Sequence, residues 1–163
     1  MKSFDRRRLV GAWQLRRWCF TGPDGQIGEP MGPGAEGLLL FTSDGWASIN
    51  ITAAGRKRFS RRDPRAIPVE ERAAAFDGLA TYACRWRVVG RTVELRVVLS
   101  HNPAMVGTVQ VRGLQMRGRT LTTTSVEPVP GGHRLHRLEW RPARVPAAAG
   151  DRTHSRRNTS TSA

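Results

Sequence analysis

The sequence consists mainly of short alternating or apolar runs that are separated by turn residues. In the clearest case, Asp44-Gly45 lies between the apolar runs at residues 37–42 and 46–52. An Asp-Gly pair between two such runs is typical of a β-hairpin, so antiparallel strands are expected. Eight runs are predicted as strands, at residues 9–21, 37–42, 46–52, 82–89, 92–100, 106–117, 119–126 and 133–141.

Residues 68–77 differ from the rest of the chain and predict a short helix. Pro68 suits a first helical turn, Glu70 and Glu71 favour the positive end of a helix, and Gly78 is a typical stop. The helix is therefore expected between the third and fourth predicted strands.

Sequential antiparallel strands favour an all-β fold, an eight-stranded up-and-down barrel. Closure of a barrel removes the exposed edges of an open sheet, and eight strands leave room for side chains or one small ligand. A two-sheet sandwich is the alternative. We expect the barrel at residues 9–141, after a basic arm at residues 1–8 and before a basic tail at residues 142–163. The tail has few large apolar groups, which predicts disorder.

The chain of 163 residues carries a formal net charge of +14, which invites a nucleic-acid interpretation. However, all but Lys2 and Lys57 of the 27 basic residues are arginines, a composition typical of a GC-rich, actinobacterium-like genome. Most of the charge lies in the two ends and in residues 56–65, which hold six basic residues and one acidic residue. Solvated tails and a solvated loop are therefore favoured, and nucleic-acid binding is disfavoured.

Several other classes of protein lack support in the sequence. There is no apolar run of membrane-spanning length and no apolar leader, and Cys19 and Cys84 are too few for a disulfide scaffold, so a cytoplasmic protein is expected. There is no Cys/His cluster, no phosphate-binding glycine loop before a helix and no nucleophile elbow. We therefore expect no metal and no cofactor, and an inert thiol at Cys84.

Alternation along the predicted strands indicates which side chains face the interior. Apolar parity predicts an inner face that holds Tyr82, Cys84, Trp86, Val88, Val93, Leu95, Val97, Leu99, Leu114, Met116, Leu138 and Trp140. The same parity places Gln110, Arg112, His101 and His136 on that face. An arginine in a dry core requires a partner, whereas a ligand cavity combines an apolar wall with a few polar groups.

Each polar position also has a simpler interpretation. A β-bulge near Gly107 or Gly113 would turn Arg112 to solvent. His136 fits a hydrogen-bonded core histidine, and His101, at a strand end, fits either a barrel mouth or a turn.

Gly11-Ala12-Trp13 on the first predicted strand resembles the Gly-x-Trp signature of lipocalins. Other segments that carry the resemblance are residues 37–45, 73–78, 82–83, 106–112 and 138–140. Over residues 8–141, the chain resembles the compact lipocalin-like domain family. The resemblance implies that Gly11 and Trp13 close one barrel end, with Arg141 from the last strand stacked on the tryptophan.

The resemblance also implies a helix-bearing insertion over one end and a cavity for a small, largely apolar metabolite. The expected ligand contacts are Tyr82, Trp86, Leu95, His101, Gln110, Arg112, Leu114 and His136. The alternative is a cyclase or isomerase of a natural-product, polyketide-type intermediate, since lipocalin-like barrels recur in such pathways. Its catalytic candidates are His101, Arg112 and His136. The only expected partner is a small-molecule ligand, and the protein is expected to be a monomer or homodimer.

Overall fold

The computed structural model describes residues 3–143, which form nine β-strands and one α-helix. The strands are β1 (Gly11–Thr21), β2 (Ile27–Gly28), β3 (Glu36–Phe41), β4 (Trp46–Thr52), β5 (Leu79–Val89), β6 (Thr92–Ser100), β7 (Val109–Arg117), β8 (Thr120–Val129) and β9 (Gly132–Pro142). The helix is α1 (Val69–Asp77). The predicted tail beyond residue 143 lies outside the described residues.

Antiparallel pairing closes the sheet into a barrel. From β3 to β9 each strand pairs with the next, and β1 pairs with β3 on one side and with β9 on the other. The β1–β9 ladder runs from Trp13 opposite Pro142 to Thr21 opposite Leu135. The fold is therefore an all-β, closed eight-stranded antiparallel barrel with one helix, as predicted, rather than a two-sheet sandwich.

The predicted position of the helix between strands 3 and 4 is wrong, because α1 lies between β4 and β5. The difference comes from β2, which pairs only with the end of β1, through Phe20 opposite Gly28 and Thr21 opposite Ile27. A strand of two residues has no alternating pattern that a sequence reading can detect. The end of the helix is as predicted, since the Gly78 N–H donates to the carbonyl of Ala74.

The barrel end at which β1 begins is sealed by the residues that precede this strand. Leu9 is completely buried, and its carbonyl accepts a hydrogen bond of 2.8 Å from Nε1 of Trp13. Cζ of Arg6 lies 4.5 Å from the ring centroid of Trp86, and the Phe4 N–H donates to the Gly90 carbonyl. We call this the sealed end.

Arg141 does not lie where the family resemblance implied. Strand alternation buries Trp140 and leaves Arg141 exposed, opposite Gln14 on the outer side of the barrel. Trp13 is buried at the sealed end, and the arginine that lies over a buried tryptophan there is Arg6, over Trp86. The basic residue therefore comes from the N-terminal segment instead of the last strand.

The opposite end carries the longer connections, and we call it the loop end. Strand directions place residues 22–35, 53–78, 101–108 and 130–131 there. Residues 56–65 are all exposed, and no residue of α1 is buried. The basic segment and the helix at this end therefore contribute no buried residue to the core.

A β-bulge in β6 changes one predicted inward position. Ala83 pairs with Leu99 but Cys84 pairs with Val97, so Val98 is an extra residue. The bulge reverses the parity beyond it, and Leu99, predicted to face inward, is 67% exposed. In β7, by contrast, the register is unbroken, so Arg112 and Gln110 stay on the inner side.

Candidate ligand-binding site

The barrel interior holds a cavity of about 40 Å³ whose wall is mainly apolar. It is lined by Leu39, Phe41, Ile49, Tyr82, Val93, Leu95, Arg112, Thr123, Leu138 and Trp140. Arg112 is the only charged residue of this lining, so the cavity has one positive charge in an apolar wall.

Arg112 is held by neutral acceptors from its own strand. Its Nη2 donates to Oε1 of Gln110 at 3.2 Å, and its Nη1 donates to the carbonyl of Val111 at 3.0 Å. Among residues 3–143, no carboxylate forms a salt bridge with this half-buried guanidinium. The charge therefore lacks the acidic partner that a buried arginine ordinarily has.

The other titratable groups beside Arg112 are uncharged at neutral pH. Burial raises the pKa of the Tyr82 phenol, and the nearby guanidinium of Arg112 only partly opposes this rise. Burial also raises the pKa of the Cys84 thiol to about 12. Cys84 is completely buried, and its Sγ lies 3.6 Å from the carbonyl of Ala47. Neither side chain supplies a negative charge to Arg112.

The apolar contacts expected from the sequence occupy different depths of the barrel. Leu95 and Tyr82 line the cavity, and Leu114 is buried in the same core. Trp86 lies towards the sealed end, where its ring packs edge-on against Phe41 with centroids 4.9 Å apart. Trp86 therefore contributes to the floor of the barrel.

His136 takes part in a hydrogen-bonded network with residues that the sequence reading missed. Nε1 of Trp18 donates to Nδ1 of His136 at 3.1 Å, and Nε2 of His136 lies 2.9 Å from Oε2 of Glu127. Trp18 faces this histidine because a bulge between Leu15 and Arg17 shifts the parity of β1. Both ring nitrogens of His136 therefore have partners within the protein.

His101 lies at the loop end, next to the helix. Its Nδ1 is 3.2 Å from the carbonyl of Thr81, and its ring centroid is 4.8 Å from that of Phe76 in α1. The three catalytic candidates are therefore not brought together, since Arg112 lines the cavity while His101 and His136 lie outside its lining.

Three of the tryptophans are buried, and a fourth lies on the outer surface. Trp13, Trp86 and Trp140 are at most 7% exposed, whereas Trp46 is on the outer surface with Cζ of Arg85 4.6 Å from its ring. Within residues 3–143, no group of three His, Cys, Asp or Glu side chains is placed to hold a metal ion. No helix in that part of the chain is long and apolar enough to cross a membrane.

Taken together, these features define a small antiparallel barrel with one sealed end and a polar group inside an apolar interior. The model of the lipocalin-like domain family matches residues 10–143, and the chain belongs to that family. The resemblance inferred from the sequence motifs is thereby confirmed. No curated protein matches the chain at a significant level.

Proposed function

We propose that the barrel binds a small, largely apolar metabolite in its interior. A mostly apolar wall with few polar groups is the usual composition of a ligand site. The observation that carries the proposal is Arg112, a cavity-lining arginine with neutral protein partners. Membership of the lipocalin-like domain family supports a ligand-binding barrel in general.

The proposed contacts combine a cavity wall with a mouth. Tyr82, Leu95 and Leu114 supply apolar surface, Arg112 and Gln110 supply polar groups, and Trp86 forms the floor. His101 and His136 would meet the part of the ligand that is nearer to the loop end. Residues 56–65 and the helix α1 would form the mouth.

Ligand binding requires the interior to expand. A cavity of about 40 Å³ is far smaller than the roughly 300–1,000 Å³ of typical ligand pockets. The sealed end is held by buried side chains, whereas α1 has no buried residue and its Phe76 is 48% exposed. Expansion is therefore expected at the loop end.

Tryptophan fluorescence during titration with a panel of apolar metabolites tests this proposal. We expect a cognate compound to change the emission of the wild-type protein, and Trp140→Phe, which alters the tryptophan that lines the cavity, to lose most of that change. Trp46→Phe, which alters an exposed tryptophan on the outer surface, is the matched control and should keep the response. A broad panel without any response, together with no co-purifying ligand in native mass spectrometry, would refute ligand binding.

A second candidate function is a cyclase or isomerase that acts on a natural-product intermediate. The observation that favours it is the placement of Arg112 beside the Tyr82 phenol, since such donors stabilise negative charge on an enolate-like oxygen. Confinement and proton transfer by His101 or His136 would supply the rest of the catalysis. Unchanged product formation by an Arg112→Ala, His101→Ala double variant would exclude the roles of Arg112 and His101, and His136→Ala tests the third residue in the same assay.

The proposed location is the cytoplasm. Cys19 and Cys84 are both free thiols in the structure, as expected in a reducing compartment. Fractionation of the native host, with an antibody against the barrel, would test the location directly.

A further inference from the structure

Arg112 also indicates the chemical class of the ligand, an inference that rests on the proposed function. We infer that the ligand is an amphipathic monoanion, such as a monocarboxylate, whose charged oxygen atoms bind the Arg112 guanidinium inside the barrel. The apolar part of the ligand would then lie against Tyr82 and Leu95.

The first argument is the incomplete pairing of the guanidinium. An arginine has five N–H donors; hydrogen bonds to Gln110 and Val111 account for two of them, and the neutral Tyr82 phenol is a further neighbour within reach. Both acceptors are neutral, so they orient the guanidinium without cancelling its charge. A carboxylate is the ligand group that provides both the compensating charge and a matching pair of acceptors.

The second argument is that the guanidinium is held in place before any ligand binds. Nε2 of Gln110 donates to Oγ1 of Thr108 at 2.9 Å, which leaves Oε1 of Gln110 for Arg112. This chain of hydrogen bonds, which runs from Thr108 just before β7 to Arg112, orients the amide of Gln110. Preorganised donors lower the cost of binding an anion, because less side-chain freedom is lost on association.

The third argument concerns the groups that could otherwise neutralise Arg112. Tyr82 and Cys84 are the titratable side chains beside it, and burial raises the pKa of both groups. A phenolate or thiolate is therefore absent at neutral pH. The lining of the cavity holds a single cation, which matches one negative charge and disfavours a dianion such as a phosphate monoester.

The fourth argument is the charge of the loop end. The six basic residues of the segment 56–65 are all exposed, and residues 53–78 together hold seven basic and four acidic residues, so this part of the loop end is net positive. A concentration of positive charge at a mouth raises the local concentration of anions and speeds their association. The positive charge at the loop end and the arginine inside the barrel therefore both favour a negatively charged ligand.

A matched pair of probes tests the inference, namely hexanoate and its neutral analogue hexanamide. Isothermal titration calorimetry on the full-length protein should give an affinity for hexanoate about 10-fold or more above that for hexanamide. Arg112→Met should abolish this preference and keep the affinity for hexanamide within about 3-fold, since methionine preserves most of the apolar volume. Arg112→Lys should retain part of the preference.

Arg96→Met is the control variant, because it removes a positive charge from the exposed outer face of β6. It should leave the preference unchanged, and thermal unfolding of every variant should confirm the folded state. Equal affinities of the wild type for the two probes would overturn the inference while leaving ligand binding intact. A preference that survives in Arg112→Met would also overturn it and would place the anion on residues 56–65. Binding of neither probe would count against the inference, and the metabolite panel then decides on ligand binding itself.

Discussion

Nε1 of Trp18 donates a hydrogen bond of 3.1 Å to Nδ1 of His136. Because Nδ1 acts as the acceptor, the proton of the neutral imidazole lies on Nε2 and faces Oε2 of Glu127, 2.9 Å away. The ring is thus oriented from both sides by residues of β1 and β8.

The first prediction is that neutral His136 exists as the Nε2–H tautomer. Long-range ¹H–¹⁵N correlation spectra should show a protonated Nε2 and an unprotonated Nδ1. Trp18→Phe removes the donor and should lower the free energy of unfolding by about 1 kcal/mol while allowing both tautomers. A predominant Nδ1–H tautomer in the wild type would contradict the network.

The second prediction concerns the seal over Trp86. Arg6→Met should lower the free energy of unfolding by about 1 kcal/mol, because the guanidinium covers the Trp86 ring and its Nη2 donates to the carbonyl of Ser43 at 2.8 Å. Chemical denaturation provides the measurement. Arg141→Met, which removes an exposed arginine, is the control and should change stability by less than about 0.5 kcal/mol. Equal effects of the two substitutions would show that Arg6 has no special role.

The third prediction is that the two thiols differ in reactivity. Cys84 is completely buried and its pKa is raised to about 12, so almost no thiolate forms at pH 8. Cys19 is only partly buried. Iodoacetamide should therefore modify one thiol per folded chain and both thiols in denaturant, as measured by mass spectrometry. A Cys19→Ser variant that still reacts rapidly when folded would disprove the assignment.

The fourth prediction concerns alkaline pH. Tyr82 is the only tyrosine, so absorbance at 295 nm follows one phenol. Its pKa is raised in the folded state, so the unfolded chain loses this proton first, near pH 10. The stability linked to Tyr82 is complete below that pH and is lost as pH rises through the folded pKa. Tyr82→Phe should therefore have a flatter dependence of stability on pH above 10.

A phenol that titrates at the ordinary value in the folded protein would contradict the burial of Tyr82. The unfolded protein in concentrated denaturant is the reference, because there the same phenol has no burial penalty.

Strand parity was sufficient to predict the inner position of Arg112, because the ladder between β6 and β7 has no irregularity from Val109 to Gly113. The alternation gave the wrong face for Leu99, because the extra residue Val98 moves the side chain of Leu99 from the inner to the outer face of the barrel. A bulge depends on pairing with a distant strand, so a local pattern does not reveal it.

The same limitation hid the network around His136. Trp18 faces the histidine only because β1 is irregular after Leu15, and Glu127 lies just beyond the predicted strand at residues 119–126, in a strand that extends to Val129. The family resemblance implied a closed barrel end at Trp13 with Arg141 over it. The role of Arg6 followed from a tertiary contact, and no motif marks it.

The seal formed by Leu9, Trp13 and Arg6 leaves the loop end as the end through which the proposed ligand would enter the barrel. A ligand that enters and leaves by the same end would keep one orientation throughout. The closed end of the barrel would thus determine which part of the ligand enters first and which part leaves first. The rate of ligand exchange would then depend on the residues of the loop end. Substitutions there would change the residence time of the ligand without changing the residues that line the cavity.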